Sequence, residues 1–320
     1  MRVVTRPDFD GLVCAAIIRL TEDVDSYYFV EPKSMQDGLV NIVPGDIIAN
    51  LPYHPECSLW FDHHITNQVP GFESGIVPGK GGFQLAPSAA RVVYDYYTSV
   101  DRNRPIPNYA RHSEVDKRMY DAANRLKSAQ MRFLVEETDR IDAGTLTPED
   151  ILNPQGYVLI SMTIFNKQPE DQPYWLHLIT LLSDLSITEI LKDQEIKDRC
   201  QQILDNQGKL KTVLLEHATL RRNVIFIDLR GTQDIIDLNR FLVYTLFPQG
   251  NISVKITDAT EKPNTTAISV GHNIFNRSRF NVGPLMTKYG GGGHNVVGSC
   301  RVPNEMADQA IKEIIEAVTE

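Results

Sequence analysis

Four short segments of the chain carry side chains suited to chemistry. Asp8-Phe9-Asp10-Gly11 stands where a β-like run passes into a helical pattern. Two carboxylates one residue apart can converge on one point in a turn, and oxygen donors suit Mn2+ or Mg2+. The same pair also fits a helix N-cap with a companion acid near the positive end of the helix. Trp60-Phe61-Asp62-His63-His64 closes another apolar run. One histidine there can ligate a metal while a neighbouring carboxylate fixes its tautomer, and the second can face a phosphoryl oxygen. A pair of loop histidines without a ligand is the plainer alternative. Thr138-Asp139-Arg140-Ile141-Asp142 follows the apolar segment Met131 to Val135 and offers two more carboxylates, or a solvated charge cluster at a helix end.

The fourth segment is Gly290-Gly291-Gly292-Gly293-His294. Four glycines remove every Cβ, so the backbone can approach an anion and turn N–H groups toward it. A flexible loop ending a helix over Val282 to Tyr289 is the competing reading. Just upstream, Asn276-Arg277-Ser278-Arg279 brings guanidinium groups suited to bidentate phosphate contact.

The elements that must position these residues follow from hydrophobic period. Arg2 to Thr5, Ser26 to Val30, Asp46 to Leu51 and Ser58 to Phe61 read as short strands, with helices over Gly11 to Leu20 and Ser88 to Tyr97. Ser88 fits an N-cap. Such β-α-β alternation predicts an α/β domain with a mostly parallel sheet, whose chemistry collects at the carboxyl ends of the strands. Ser186-Ile187-Thr188-Glu189 fits a capping box, and the helical period that follows to about His217 reads as a connector interrupted at Gly208. Alternation then restarts: strands over Asn223 to Leu229, Asn251 to Asp258 and Thr265 to Val270, and helices over Phe241 to Phe247 and Glu305 to Val318. The expected organisation is an N-terminal α/β domain (1–185), a helical connector (186–220) and a smaller mixed-sheet α/β domain (221–320).

Composition narrows the function. With 320 residues, 42% hydrophobic and 23% charged, the chain suits two globular domains. Its 32 basic and 41 acidic residues give a net charge of -9, which argues against a grip on long duplex nucleic acid. Residues 221–320 hold 11 basic and 10 acidic residues, leaving 21 basic and 31 acidic to residues 1–220. The acidity thus lies where cations are expected, and a short phosphorylated ligand stays compatible with the balance. Cys14, Cys57, Cys200 and Cys300 show no paired spacing, so free thiols in a reducing compartment are expected. No run is long and apolar enough to span a bilayer, and no signal-peptide pattern opens the chain, so the expected setting is cytoplasmic with no membrane partner.

Taken in order, Asp8-Phe9-Asp10, Asp62-His63-His64, the aspartates near 139 and Gly290 to His294 resemble the DHH phosphoesterase superfamily. The similarity is to the branch with a DHH-associated C-terminal domain, which includes RecJ-type exonucleases, nanoRNA phosphodiesterases and exopolyphosphatase-related proteins. The resemblance implies Mn ions, with Mg an alternative, that activate water against phosphorus. It implies Asp8 and Asp10 as ligands, one to each of two metals, and His63 as a ligand oriented by Asp62. His64 would contact the substrate phosphate, and Asp139 would be the late ligand, with Asp142 competing. Arg277, Gly290, Gly291, Gly292, Gly293 and His294 would hold the terminal phosphate or nucleotide. Two positions depart from the family pattern: Val4 stands where a histidine ligand is usual, and Asn50 stands where an aspartate bridges the metals. One well-held ion and one weak or absent ion are therefore expected. The expected activity is metal-dependent hydrolysis of phosphodiester or phosphomonoester bonds in short oligonucleotides, dinucleotides or mononucleotides. Polyphosphate or pyrophosphate hydrolysis, or a nucleotide-binding regulator with a decayed metal site, are the alternatives. Members of the family often dimerise, so a homodimer is compatible with the resemblance.

Overall fold

The computed structural model describes residues 1–73, 75–99, 124–164, 169–232, 239–259 and 264–320. The chain is an α/β protein with two six-stranded sheets, one mostly parallel and one mixed, and a helical middle region. It divides into two compact units, Met1–Thr145 with Gln155–Cys200, and Leu146–Pro154 with Gln201–Glu320.

In the first unit the strands are β1 (Arg2–Thr5), β2 (Ser26–Phe29), β3 (Ile47–Ala49), β4 (Leu59–Asp62), β5 (Ile76–Val77) and β6 (Gly81–Phe83). They lie in the order β2-β1-β3-β4-β6-β5, all parallel except β5, which runs antiparallel to β6. The central strands β3 and β4 are buried along their whole length, which explains why they read as unbroken apolar runs rather than alternating ones. Trp60 and Phe61 point to opposite faces. Trp60 joins a cluster with Val4, Ile48, Leu51, Phe72 and Phe83, and its indole N–H donates to the Leu51 carbonyl at 2.9 Å. Phe61 packs edge-on against Tyr96 and tilted against Tyr97 of the helix Ala89–Ser99. Burial of residues this large, worth about 1.5–3 kcal/mol for each such side chain, holds the strand ends in place.

Registry decides which residues meet. Thr5 pairs with Ala49, and Ala49 with Phe61, so the carboxyl ends of β1, β3 and β4 stand side by side. The next residues out of these strands are Arg6 to Asp10, Asn50, and His63 with His64. Helix α1 (Phe9–Thr21) starts directly against β1, and only glycine fits at position 11: a Cβ there would lie 2.1 Å from the Arg6 carbonyl oxygen. Helices α2 (Pro32–Gln36), α3 (Ala89–Ser99) and α4 (Ala129–Asp142) follow. Ser88 caps α3 as expected, accepting from the Arg91 N–H at 3.0 Å.

In the second unit, β7 (Ala218–Arg221), β8 (Val224–Asp228), β9 (Ile252–Asp258), β10 (Thr265–His272), β11 (Gly292–Gly293) and β12 (Val297–Pro303) form a sheet in the order β11-β12-β10-β9-β8-β7. Only β8 and β9 are parallel to each other. β12 alternates strictly between exposed and buried residues, and Cys300 and Val302 pack with Ile268, Ile311 and Ile314. The terminal helix Asn304–Val318 supplies the last two of these.

The middle region differs from the expected single interrupted run. The capping box at Ser186 and Glu189 forms, but it starts a one-turn helix over Ile187–Ile190. A separate 24-residue helix, Gln194–His217, passes through Gly208 without a break. A lone glycine costs a helix interior only about 1 kcal/mol. The buried stripe Ile196, Cys200, Ile203, Leu210 and Leu214 outweighs that cost.

Candidate metal centre

Asp10, His63 and Asp142 each turn a ligand-type atom to one point, all within 4.8 Å of one another. The His63 Nε2 lies 3.8 Å from an Asp10 oxygen and 3.4 Å from an Asp142 oxygen. The other ring nitrogen, Nδ1, sits 3.0 Å from the Ala86 carbonyl oxygen, which can only accept, so Nδ1 carries the proton. In that tautomer the ring aims a lone pair from Nε2 into the acidic cluster, where that nitrogen is buried with no hydrogen-bond partner. A backbone carbonyl fixing the tautomer of a ligating histidine is the usual arrangement behind a metal ion. The donor set of one imidazole and two carboxylates suits a divalent ion of the Mn or Mg kind.

Electrostatics point the same way. Burial first, then the neighbouring charges of Asp142 and Asp8, pushes the Asp10 carboxyl well above the usual carboxylate range, although the N–H groups of Ala90 and Ala89 oppose this. Those amides, at 2.8 and 2.9 Å, open helix α3, so its positive end faces Asp10. Burial likewise raises Asp142, against the pull of His63. Crowded acids of this kind, Asp10 buried and Asp142 at the open side of the cluster, are stabilised by a bound cation, which favours their ionised forms.

A second trio, Asp62, His63 and His64, also has ligand-type atoms within 4.8 Å. Its carboxylate is spoken for. Asp62 is fully buried, and its Oδ1 accepts from the backbone N–H of His63 at 2.8 Å and of His64 at 3.3 Å. The same oxygen lies 2.8 Å from His64 Nδ1, and Oδ2 accepts from Asn67 at 2.6 Å. Asp62 is thus an anchor for the turn. Its hydrogen bond is also the main reason the His64 pKa is raised, more than offsetting the effect of burial. With Nδ1–H donating to Asp62, the half-exposed His64 turns Nε2 outward, an acceptor in the neutral ring and a donor once the ring is protonated, a form that the raised pKa favours.

Asp8 and Asn50 form a separate arrangement. Asp8 caps α1, accepting from Gly11 N–H at 2.9 Å, and the same oxygen accepts from the Asn50 side-chain amide at 3.0 Å. Its other oxygen is 3.1 Å from an Arg6 guanidinium nitrogen. Val4 is buried in the apolar cluster of the sheet.

In the second unit, the glycine run follows the helix Val282–Lys288 and supplies β11, paired to β12. Most of it answers to packing. Gly290 has φ +73°, and Cβ atoms at Gly291 and Gly293 would fall 2.1 Å from the Ser299 carbonyl oxygen and 2.4 Å from that of Val297. Gly292 meets nothing within 4 Å. Gly291→Ala should therefore cost this unit about 3 kcal/mol through overpacking, and Gly292→Ala less than about 1 kcal/mol, in denaturant titrations. A raised KM for Gly292→Ala with unchanged stability would mark that position as one kept bare for a ligand. His294 closes the turn, its N–H donating to Val297 at 2.7 Å. Arg277 lies in the loop after β10.

No protein-family profile matches the chain, and no curated protein sequence matches it. Among solved structures, the pGpG-specific phosphodiesterase PggH from Vibrio cholerae is 32% identical, with a TM-score of 0.79, over 99% of this chain and 98% of that one. The chain belongs to that phosphodiesterase's family. An uncharacterized protein from Helicobacter pylori G27 aligns over 99% of this chain and 98% of its own at 14% identity and a TM-score of 0.22.

Within this phosphodiesterase fold, the sequence motifs meet selectively. Asp10 and His63 come together, and the acid that joins them is Asp142. Asp139, one turn earlier on α4, faces another way. Its oxygens bind Ser88 Oγ at 2.6 Å and the Arg91 guanidinium at 2.6 and 2.9 Å, so it ties α4 to the start of α3. Three features escaped sequence reasoning. Arg6 was hidden beside a proline, and the Ala86 carbonyl has no side-chain signature. His272, at the end of β10, is buried with Nε2 2.9 Å from the Phe280 carbonyl oxygen. Its signal was its place at a strand end, two residues into Gly271-His272-Asn273.

Proposed function

We propose that this chain is a metal-dependent phosphodiesterase of the DHH type that hydrolyses short linear dinucleotides such as pGpG to mononucleotides. The observation that carries the reading is the buried, unpartnered His63 Nε2 aimed at Asp10 and Asp142. Identity of 32% to a pGpG-specific enzyme over nearly the full chain supports the substrate. Asp10, His63 and Asp142 would hold a Mn or Mg ion, which supplies Lewis acidity toward a phosphoryl oxygen and lowers the pKa of water. The chain's own groups do the rest. Asp62 holds the imidazole of His64 and favours its protonated form, from which Nε2–H would donate to the phosphate or to the departing ribose oxygen. Ala89 and Ala90 keep Asp10 oriented. In residues 221–320, Arg277, His294 and the bare edge at Gly292 would hold the nucleotide, with guanidinium and imidazole donors suited to a terminal phosphate.

The test is hydrolysis of pGpG by the full chain, followed by chromatography, with Mn2+, Mg2+ or a chelator, and with polyphosphate in parallel. Expected is release of guanosine 5′-monophosphate that stops on chelation. Lack of turnover on pGpG and every other short oligonucleotide, or turnover indifferent to chelator, overturns the proposal. The choice of late ligand is tested alongside. Asp142→Asn should weaken Mn2+ binding at least about tenfold. Asp139→Asn should leave that affinity within about threefold and cost about 2 kcal/mol of stability through the lost Arg91 and Ser88 bonds. The reverse ranking would make Asp139 the ligand.

A further inference from the structure

Arg6 leaves β1 and turns back toward the metal cluster. Its Nε lies 3.1 Å from a Glu31 oxygen and its Nη1 3.1 Å from Asp8 Oδ2, with the side chain about one third exposed. Both oxygens of Asp8 are engaged: Oδ1 takes the Gly11 N–H and the Asn50 amide, and Oδ2 takes the guanidinium. Asn50 completes the arrangement. It is buried, holds φ +57° at the end of β3, and must turn its NH2 to Asp8 because a carboxylate only accepts. An aspartate at 50 would set a second carboxylate against Asp8. Beside Asp8 stand a neutral amide on one oxygen and a guanidinium on the other, so this corner of the site offers one carboxylate with a cation already against it.

We propose that Arg6 is the resident second cation of this site: its guanidinium keeps Asp8 as a counter-ion, so that the chain takes a single divalent ion at Asp10, His63 and Asp142. Arg6 is thus a positioning residue, acting through Asp8. The proposal rests on the metal-dependent reading above and adds a stoichiometry to it. A guanidinium stays charged and cannot leave, so the charge beside Asp8 does not depend on metal supply.

The experiment is Mn2+ titration of the full, chelator-stripped chain by calorimetry, with bound ion counted by electron paramagnetic resonance. Wild type should bind one ion per chain, and Asp8→Asn should leave that affinity within about threefold. Arg6→Gln/Asn50→Asp should gain a second ion, while Arg6→Lys should keep one. Circular dichroism checks folding, and Asp8→Asn alone still decides the matter if the double variant does not fold. Two equal ions in wild type, or a drop of more than tenfold in Asp8→Asn, overturns the role of Arg6 and leaves the phosphodiesterase reading standing. Absence of any bound ion in wild type overturns both.

Discussion

His63→Ala is expected to lower Mn2+ affinity by at least about 100-fold and to abolish hydrolysis with it. The imidazole Nε2 is buried without a partner, a condition that is costly unless something binds there. Changes to groups that merely orient a ligand typically weaken metal binding about 10–100-fold, so loss of the ligand itself should exceed that range. Thermal denaturation offers a readout independent of turnover. Wild type with Mn2+ at 100 times its dissociation constant should gain about 2.7 kcal/mol of stability, and a variant binding 100-fold more weakly only about 0.4 kcal/mol. The melting temperature of His63→Ala should therefore scarcely respond to Mn2+. An equal rise in both proteins would place the metal elsewhere.

The elements carrying the motifs were readable because their signals are local. β3 and β4 are buried along their whole length and β1 from Val3 to Thr5, and the residues leaving them are the chemical ones, so pattern and parallel topology led to the same strand ends. Ser88 and the Ser186–Glu189 box also follow local rules. What stayed hidden depends on contacts distant in sequence. Gly81-Gly82-Phe83 carries no strand pattern of its own, yet it becomes β6 because Trp60, Phe61 and Asp62 of β4 pair with it. Asp139 and Asp142 are three residues apart on one helix, and nothing local separates them; Arg91, 48 residues before Asp139, draws it away. The glycine run looked like a single device. Packing against β12 accounts for Gly291 and Gly293 and a positive φ for Gly290, which leaves Gly292 without a conformational or packing reason, a distinction that needs the partner strand.

Asp62→Asn is the second large effect expected, and it separates anchoring from ligation. The carboxylate is fully buried and takes the N–H of His63, the N–H of His64, His64 Nδ1 and the Asn67 amide. An asparagine keeps the shape but halves the acceptor set and brings an NH2 that must face a donor. Loss of a buried charged acceptor should cost about 3 kcal/mol, and the freed turn should weaken metal binding about 10–100-fold. The pH dependence of the metal-free proteins gives the signature. The Asp62 hydrogen bond raises the folded-state pKa of His64, so its protonation adds stability below the unfolded histidine value of about 6.5, and that stability is lost as pH rises through the folded value. The gap between wild type and Asp62→Asn should accordingly be widest in the mildly acidic range and narrow above it. In denaturant titrations across that range, a gap that stays constant would show that the two side chains are uncoupled. Activity lost without any loss of stability would instead make Asp62 a group of the chemical step rather than the anchor that aims both histidines.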